Sequence, residues 1–169
     1  MFDSSDRVIQ SLKKIARKEI LKGYILESEG FRSLRNSVSG EPVPVYSPSG
    51  TPEFWIVPYV SGAKSTGFAF FDKNQKLIRV GVFSPGSKDV SGTVDVSYFA
   101  QPPSEIIDDI AAKFAGYSLS KPVFSYDGTP AKWSWRLELV KGNEEARLVY
   151  ILPGSWYEVK GEKVPDMEG

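Results

Sequence analysis

The 169-residue chain contains no cysteine and no histidine. Without cysteine there is no disulfide, no thiolate nucleophile and no soft metal site. Without histidine the chain lacks the side chain that most often moves protons near neutral pH, so any catalysis falls to Asp, Glu, Lys, Tyr or Ser. An excess of charge is missing too. Lys plus Arg and Asp plus Glu both number 21, so no global field steers the chain toward nucleic acid or an anionic membrane. No apolar run reaches the length of a membrane span. Near the N-terminus, Lys13, Lys14, Arg17 and Lys18 interrupt anything resembling a signal-peptide core. The expectation is a cytoplasmic protein as the sequence is written, with a trimmed extracytoplasmic fragment as the alternative. Neither a nucleic-acid partner nor membrane insertion is expected. The sequence also has no P-loop, no Gly-x-Gly-x-x-Gly, no Gly-x-Ser-x-Gly and no zinc spacing, so no cofactor, metal or catalytic residue is assigned.

What is present is enough for a core. Apolar residues make up 41% of the chain and aromatics 13%, which places it among globular rather than disordered sequences. The length fits one domain or two small ones in close contact. One block is said twice. Gly50-Thr51-Pro52-Glu53-Phe54-Trp55 returns as Gly128-Thr129-Pro130-Ala131-Lys132-Trp133. Pro42, Val43 and Tyr46 stand upstream of the first block, and Pro122, Val123 and Tyr126 upstream of the second. These offsets point to a duplicated module, with residues 1–99 as the first copy plus a helical extension and 100–169 as the second. The spacing pairs Trp55 with Trp133. Gly and Pro set a tight turn that starts a strand, and the Trp anchors the sheet on a helix. The alternative makes the two turns paired ligand contacts.

Periodicity fills in the elements. Val8, Ile9, Leu12, Ile15, Ala16 and Ile20 predict a helix over 4–22, capped by Ser4 or Ser5 and stopped at Gly23. Its other face carries Arg7, Lys13, Lys14, Arg17, Lys18 and Lys22. That face is either solvated or a basic surface for an anionic partner. A short second helix follows over 24–37, and 39–52 reads as turn and edge strand. Strands are expected over 54–60, 67–71 and 76–83, with an alternating segment over 93–99. Ser104 caps a helix to about Gly116, and strands over 132–139, 146–152 and 156–160 complete the second copy.

A helix, then Pro-Val-x-x-Tyr, Gly-x-Pro-x-x-Trp, an apolar strand, a Gly turn and a strand such as Gly67-Phe68-Ala69-Phe70-Phe71-Asp72 resembles the small PepSY/cystatin-like α+β modules. The resemblance covers roughly 31–83 and 104–160. It implies two pseudo-repeated units, each with a helix across a curled antiparallel sheet, used as non-catalytic propeptide-like, inhibitory or binding units. No protease-entering loop of the cystatin inhibitors is evident, so the expected role is a protein- or peptide-binding or regulatory module.

The first strand of the first copy is apolar on both faces, unlike Lys132–Leu139, which alternates with Lys132, Ser134, Arg136 and Glu138 outward. A surplus apolar face is therefore assigned to Phe54, Ile56, Val60, Phe71, Ile78 and Val80, with Ala69 and Val82, as an interface with a protein partner, a second copy or the other module. The competing class is a small ligand-binding or hydrolytic enzyme using Asp, Glu or Tyr in a cupped sheet, with Asp95, Asp127 or Glu138 in an apolar pocket. Trp55, Trp133, Trp135 and Trp156 with Tyr126, Tyr150 and Tyr157 are either core or a groove lining. The acidic pairs Asp108-Asp109 and Glu144-Glu145 fit a helix start and a turn, and a hard-cation or acid–base role needs a third carboxylate.

Overall fold

The computed structural model describes residues 2–83, 94–129 and 133–159. The chain is α+β, with two antiparallel sheets and few helices. It divides into two compact units between Gln101 and Pro102.

The first unit opens with α1 (Asp6–Glu19), which is shorter at both ends than its periodic stretch. Ser5 is the N-cap, its side chain accepting from the Val8 amide, and Asp6 sits in the first turn. Lys22 is extended, so Gly23 opens a four-residue helix, α2 (Gly23–Leu26), instead of closing α1. A 3-10 turn over Glu29–Leu34 follows. Strands β1 (Val38–Ser39), β2 (Val43–Tyr46), β3 (Pro52–Ser61), β4 (Lys64–Asp72), β5 (Leu77–Val82) and β6 (Val94–Asp95) make one sheet, in which β1 and β2 share one edge of β3. The segment expected to alternate as a strand gives only β6 and then α3 (Ser97–Ala100), because Val96 already has helical dihedrals.

The core of this unit lies between α1 and one face of the sheet. Val8, Leu12, Ala16 and Ile20 meet Trp55, Val57, Tyr59, Ala69 and Phe71. The Tyr59 hydroxyl donates to the Ala16 carbonyl oxygen at 2.7 Å, and Phe2 stacks on the Trp55 indole with centroids 4.7 Å apart.

The second unit has α4 (Ser104–Lys113), β7 (Ser118–Leu119), β8 (Val123–Tyr126), β9 (Trp133–Val140), β10 (Arg147–Ile151) and β11 (Trp156–Val159). Its helix closes on the sheet through Ile110, through Phe114 against Trp156 at 6.0 Å, and through the Trp156 Nε1 donor on Asp109 at 2.7 Å.

Apart from β6, which pairs with β4 in the first sheet alone, strand order is the same in both units: a two-residue strand, then the long strand, then two more, with a four-residue strand also on the long one. The registers match as well. Val38↔Val60, Pro44↔Trp55 and Trp55↔Phe71 in the first sheet answer to Ser118↔Val140, Phe124↔Trp135 and Trp135↔Ile151 in the second. By pairing, then, Trp135 and not Trp133 holds the place of Trp55. The two turns differ in length, and the strand register absorbs the difference after them. Gly50 (φ 90°) and Gly128 (φ 75°) both lie in the left-handed region with open space where a Cβ would stand. These glycines serve the turn's backbone rather than a close approach.

Packing between neighbouring strands generates the first prediction. A Cβ on Gly81 would lie 2.5 Å from the Phe68 ring, and Phe68 is buried. Gly81→Ala should cost about 1–3 kcal/mol through overpacking, and Leu12→Ala about 2–5 kcal/mol through a cavity under α1. Both are read as shifts in the denaturant midpoint. An unchanged midpoint for Leu12→Ala would mean that α1 does not close the core.

Candidate functional site

The surplus apolar face divides once the strands are paired. Phe54, Ile56 and Val60 share one side of β3. Ala69 pairs with Val57 and Val80, and Phe71 with Trp55, so Phe71 and Val80 belong to the helix-facing side together with Val82. A run apolar on both faces leaves its phase open, and the Gly62 turn and the bulge between β3 and β4 settle it. Ile78 is the extra residue where β5 slips against β4, and it is 50% exposed. Ile56 and Phe71 are fully buried, and Phe54 stacks on Phe70 at 5.0 Å. The six residues therefore do not form one contact surface. In the second unit the supposed wet face of β9 is also partly enclosed, since Ser134 is buried and Arg136 half-buried while Glu138 is exposed.

The carboxylates chosen for enzymatic work are engaged elsewhere. Asp95 pairs with Lys64 at 2.6 Å, and Asp127 accepts from the Tyr157 hydroxyl at 3.3 Å. Burial first, and then Asp127, push the Tyr157 phenol up to about 12, so it stays a donor. Asp109 takes the Trp156 donor, and Glu144 takes the Tyr117 hydroxyl at 2.8 Å. Among the described residues no three carboxylates gather where a cation would need them. Among the described residues Glu19 is the buried carboxylate. Burial alone would raise its pKa, but the Lys22 ammonium at 2.7 Å and the Tyr24 hydroxyl outweigh that and hold it low. Burial first, and then the Glu19 carboxylate, push the Tyr24 phenol up to about 12. This trio fixes the C-terminal end of α1 and is arranged as a clamp, not as a proton donor.

The site that does form lies along the flank of α1. Once Val8, Leu12 and Ala16 point into the sheet, the 3.6-residue repeat puts Gln10, Lys13, Lys14 and Arg17 along one side. Opposite them runs β1. It is held there by the Ser39 hydroxyl, which donates to the Lys13 carbonyl oxygen at 3.0 Å, and by the Gly40 amide, which donates to the Pro58 carbonyl at 2.7 Å. Gly40 allows this approach, since a Cβ there would stand 2.9 Å from the Val60 side chain. Between helix and strand lies an open groove of about 410 Å³ lined by Gln10, Lys13, Lys14, Arg17, Val38 and Ser39. Lys13 is committed to Glu41 at 2.6 Å. Among the described residues Lys14 and Arg17 have no ion-pair or hydrogen-bond partner on their side chains, and Val38 is 60% exposed. A second pocket of about 350 Å³, lined by Asp3, Arg7, Val8, Ser11 and Gln75, carries charges of both signs.

The basic helix face was visible in the sequence. The two-residue strand opposite it was not, because Val38-Ser39 carries no alternation to read. No protein-family model, no curated protein and no solved structure matches the chain. No helix among the described residues is long and apolar enough to cross a membrane.

The Glu19 clamp gives a pH prediction. Its folded pKa lies below the ordinary 4.5, so its stabilising effect is whole above about 4.5 and fades as pH falls through the lower folded value, where the unfolded chain already holds the proton. Glu19→Gln should lower the thermal midpoint at pH 7, and the gap from the native chain should narrow below pH 4.5. A gap that stays constant from pH 7 to pH 3 would show that the carboxylate is not ionised in the fold.

Proposed function

We propose that the chain is a non-catalytic module that binds a protein or peptide partner in a regulatory role, and that it arose as a tandem duplication of a PepSY/cystatin-like unit. The observation that carries the binding reading is the groove between α1 and β1, an open cleft with a sheet edge on one side and unpaired cations on the other. Grooves of that kind recognise chain segments through main-chain pairing and side-chain pockets. The duplication is supported by the shared strand order and by registers that repeat from Val38↔Val60 to Ser118↔Val140. The likeness to PepSY/cystatin-like modules is supported by a helix lying over each antiparallel sheet.

Hydrolysis by a small His-free enzyme is the competing class. It requires a carboxylate whose surroundings raise its pKa toward neutrality. The buried carboxylate Glu19 is instead held ionised by Lys22 and Tyr24.

The test is to pan a display library of linear peptides against the whole chain and titrate the enriched sequences with purified protein. The binding reading expects saturable complexes with Kd of about 1–100 µM, as for short segments that are ordered on binding. Light scattering on the same samples reports whether a second copy is the partner. Turnover of chromogenic ester or phosphate substrates, with no saturable peptide, would replace this reading with the enzymatic one.

A further inference from the structure

The groove says more about its occupant than that it is a peptide. Antiparallel pairing alternates between residues whose amide and carbonyl face the partner strand and residues whose groups face away. The Gly40 amide bonds to Pro58. Its neighbour Ser39 therefore turns its own N–H and C=O away from β3, toward the groove. The Ser39 side chain is already fixed on the Lys13 carbonyl, so these two main-chain groups are what β1 presents. Further along the same edge Pro42 interrupts the chain and Pro44 stands inside β2. Proline blunts an edge by removing donors. The edge is thus open for a short segment at Ser39 and closed beyond it.

The opposite wall is cationic. Lys14 and Arg17 are exposed and unpaired, while Lys13 is neutralised by Glu41. They line the groove with Val38, and side chains of this length lay their aliphatic stems along apolar surface while keeping the charged heads in water. Side chains one helical turn apart are spaced by about 5–6 Å, and alternate side chains of a strand by about 6.6 Å. Carboxylates on every second residue of an extended segment therefore have a spacing suited to successive cations on the helix. A nucleic acid draws its affinity from many phosphate contacts, and the groove sets only Lys14 and Arg17 unpaired along its wall, on a chain of zero net charge. A lipid surface has no use for the outward main-chain pair at Ser39.

We propose that the α1–β1 groove takes an extended acidic peptide segment of a partner protein, which adds to the β1 edge at Ser39 and sets its carboxylates against Lys14 and Arg17. This rests on the reading of the chain as a binding module and supplies the chemistry of its partner.

The experiment uses the whole chain and three labelled peptides of about eight residues, within the usual length range of strands, alternating Val with Glu, Gln or Lys. Fluorescence anisotropy reads affinity. The Glu peptide should bind about tenfold tighter than the Gln peptide, as two exposed ion pairs permit, and the Lys peptide weakest. The double variant Lys14→Glu with Arg17→Glu changes only exposed side chains. It should reverse that order, favouring the Lys peptide, which a loss of folding cannot do. An N-methylated Glu peptide keeps the charges and removes the amide donors, and it should lose most of the affinity. Equal binding of all three peptides would sink the acidic partner while leaving the binding module standing. An absence of binding by every peptide, with the chain folded by circular dichroism, would remove both. Binding of a single-stranded oligonucleotide or of phosphatidylserine vesicles as tight as that of the Glu peptide, and equally lost in the double variant, would overturn the proposal in favour of a polyanion.

Discussion

Four side chains on one stripe of α1, Val8, Leu12, Ala16 and Ile20, close on the sheet over Trp55, Val57, Tyr59, Ala69 and Phe71. Fully burying a Val, Leu or Ile contributes about 1.5–3 kcal/mol, so this seam is a large part of what orders the first unit. The Tyr59 hydroxyl on the Ala16 carbonyl fixes the helix along its axis. Everything on the exposed flank follows from that rotation. Were α1 turned by one residue, about 100°, Lys13 would face the sheet and the groove against β1 would not exist. The groove is thus a by-product of core packing, positioned by side chains that never touch it.

Polar groups inside the first unit are arranged around the same seam. Glu19 is clamped by Lys22 and Tyr24 where α1 ends. Ser37 and Thr66 share a hydrogen bond of 2.8 Å, and Ser37 also reaches the Ser33 carbonyl at 3.4 Å, joining the 3-10 turn to β4. Among the described residues of this unit three side-chain polar atoms are buried without a partner: Ser33 Oγ, Arg35 Nε and Trp55 Nε1. Leaving a buried donor unmade costs about 1–3 kcal/mol, and the indole's burial under Phe2 and beside the helix stripe offsets it.

The two sheets hold the same pairings with different chemistry on them. Where the first has Phe54, Ile56 and Phe70 on the side away from α1, the matching positions of the second are Ser134, Arg136 and Tyr150. Main-chain hydrogen bonding is indifferent to side chains, so strand order and register survive such exchange. In the second unit cations cluster instead over the helix side. Lys113 stands 4.8 Å from the Trp156 ring centre, and Arg147 5.5 Å from that of Tyr117, where stacking on an aromatic face offsets part of the loss of hydration. Those cations are already engaged by aromatic rings, whereas Lys14 and Arg17 of the first unit are exposed and unpaired beside the groove.

The helices with strong 3.6-residue stripes, the long strands and the α+β class could be read from the chain alone. Each of these rests on local chemistry: the period of Val8, Leu12 and Ala16, the fixed dihedral of Pro52, and the left-handed Gly50 and Gly128. Long-range pairing was needed to place Phe71 and Val80 on the helix side of the sheet, to match Trp135 and not Trp133 with Trp55 in strand register, and to make Val38-Ser39 a strand at all. Strand phase is set by bulges and by pairing between residues far apart in the chain, and a two-residue strand has no period of its own. The groove depends on the first and the last of these. Its cations were legible in the sequence, while the edge they face exists only once β3 has drawn Gly40 against Pro58.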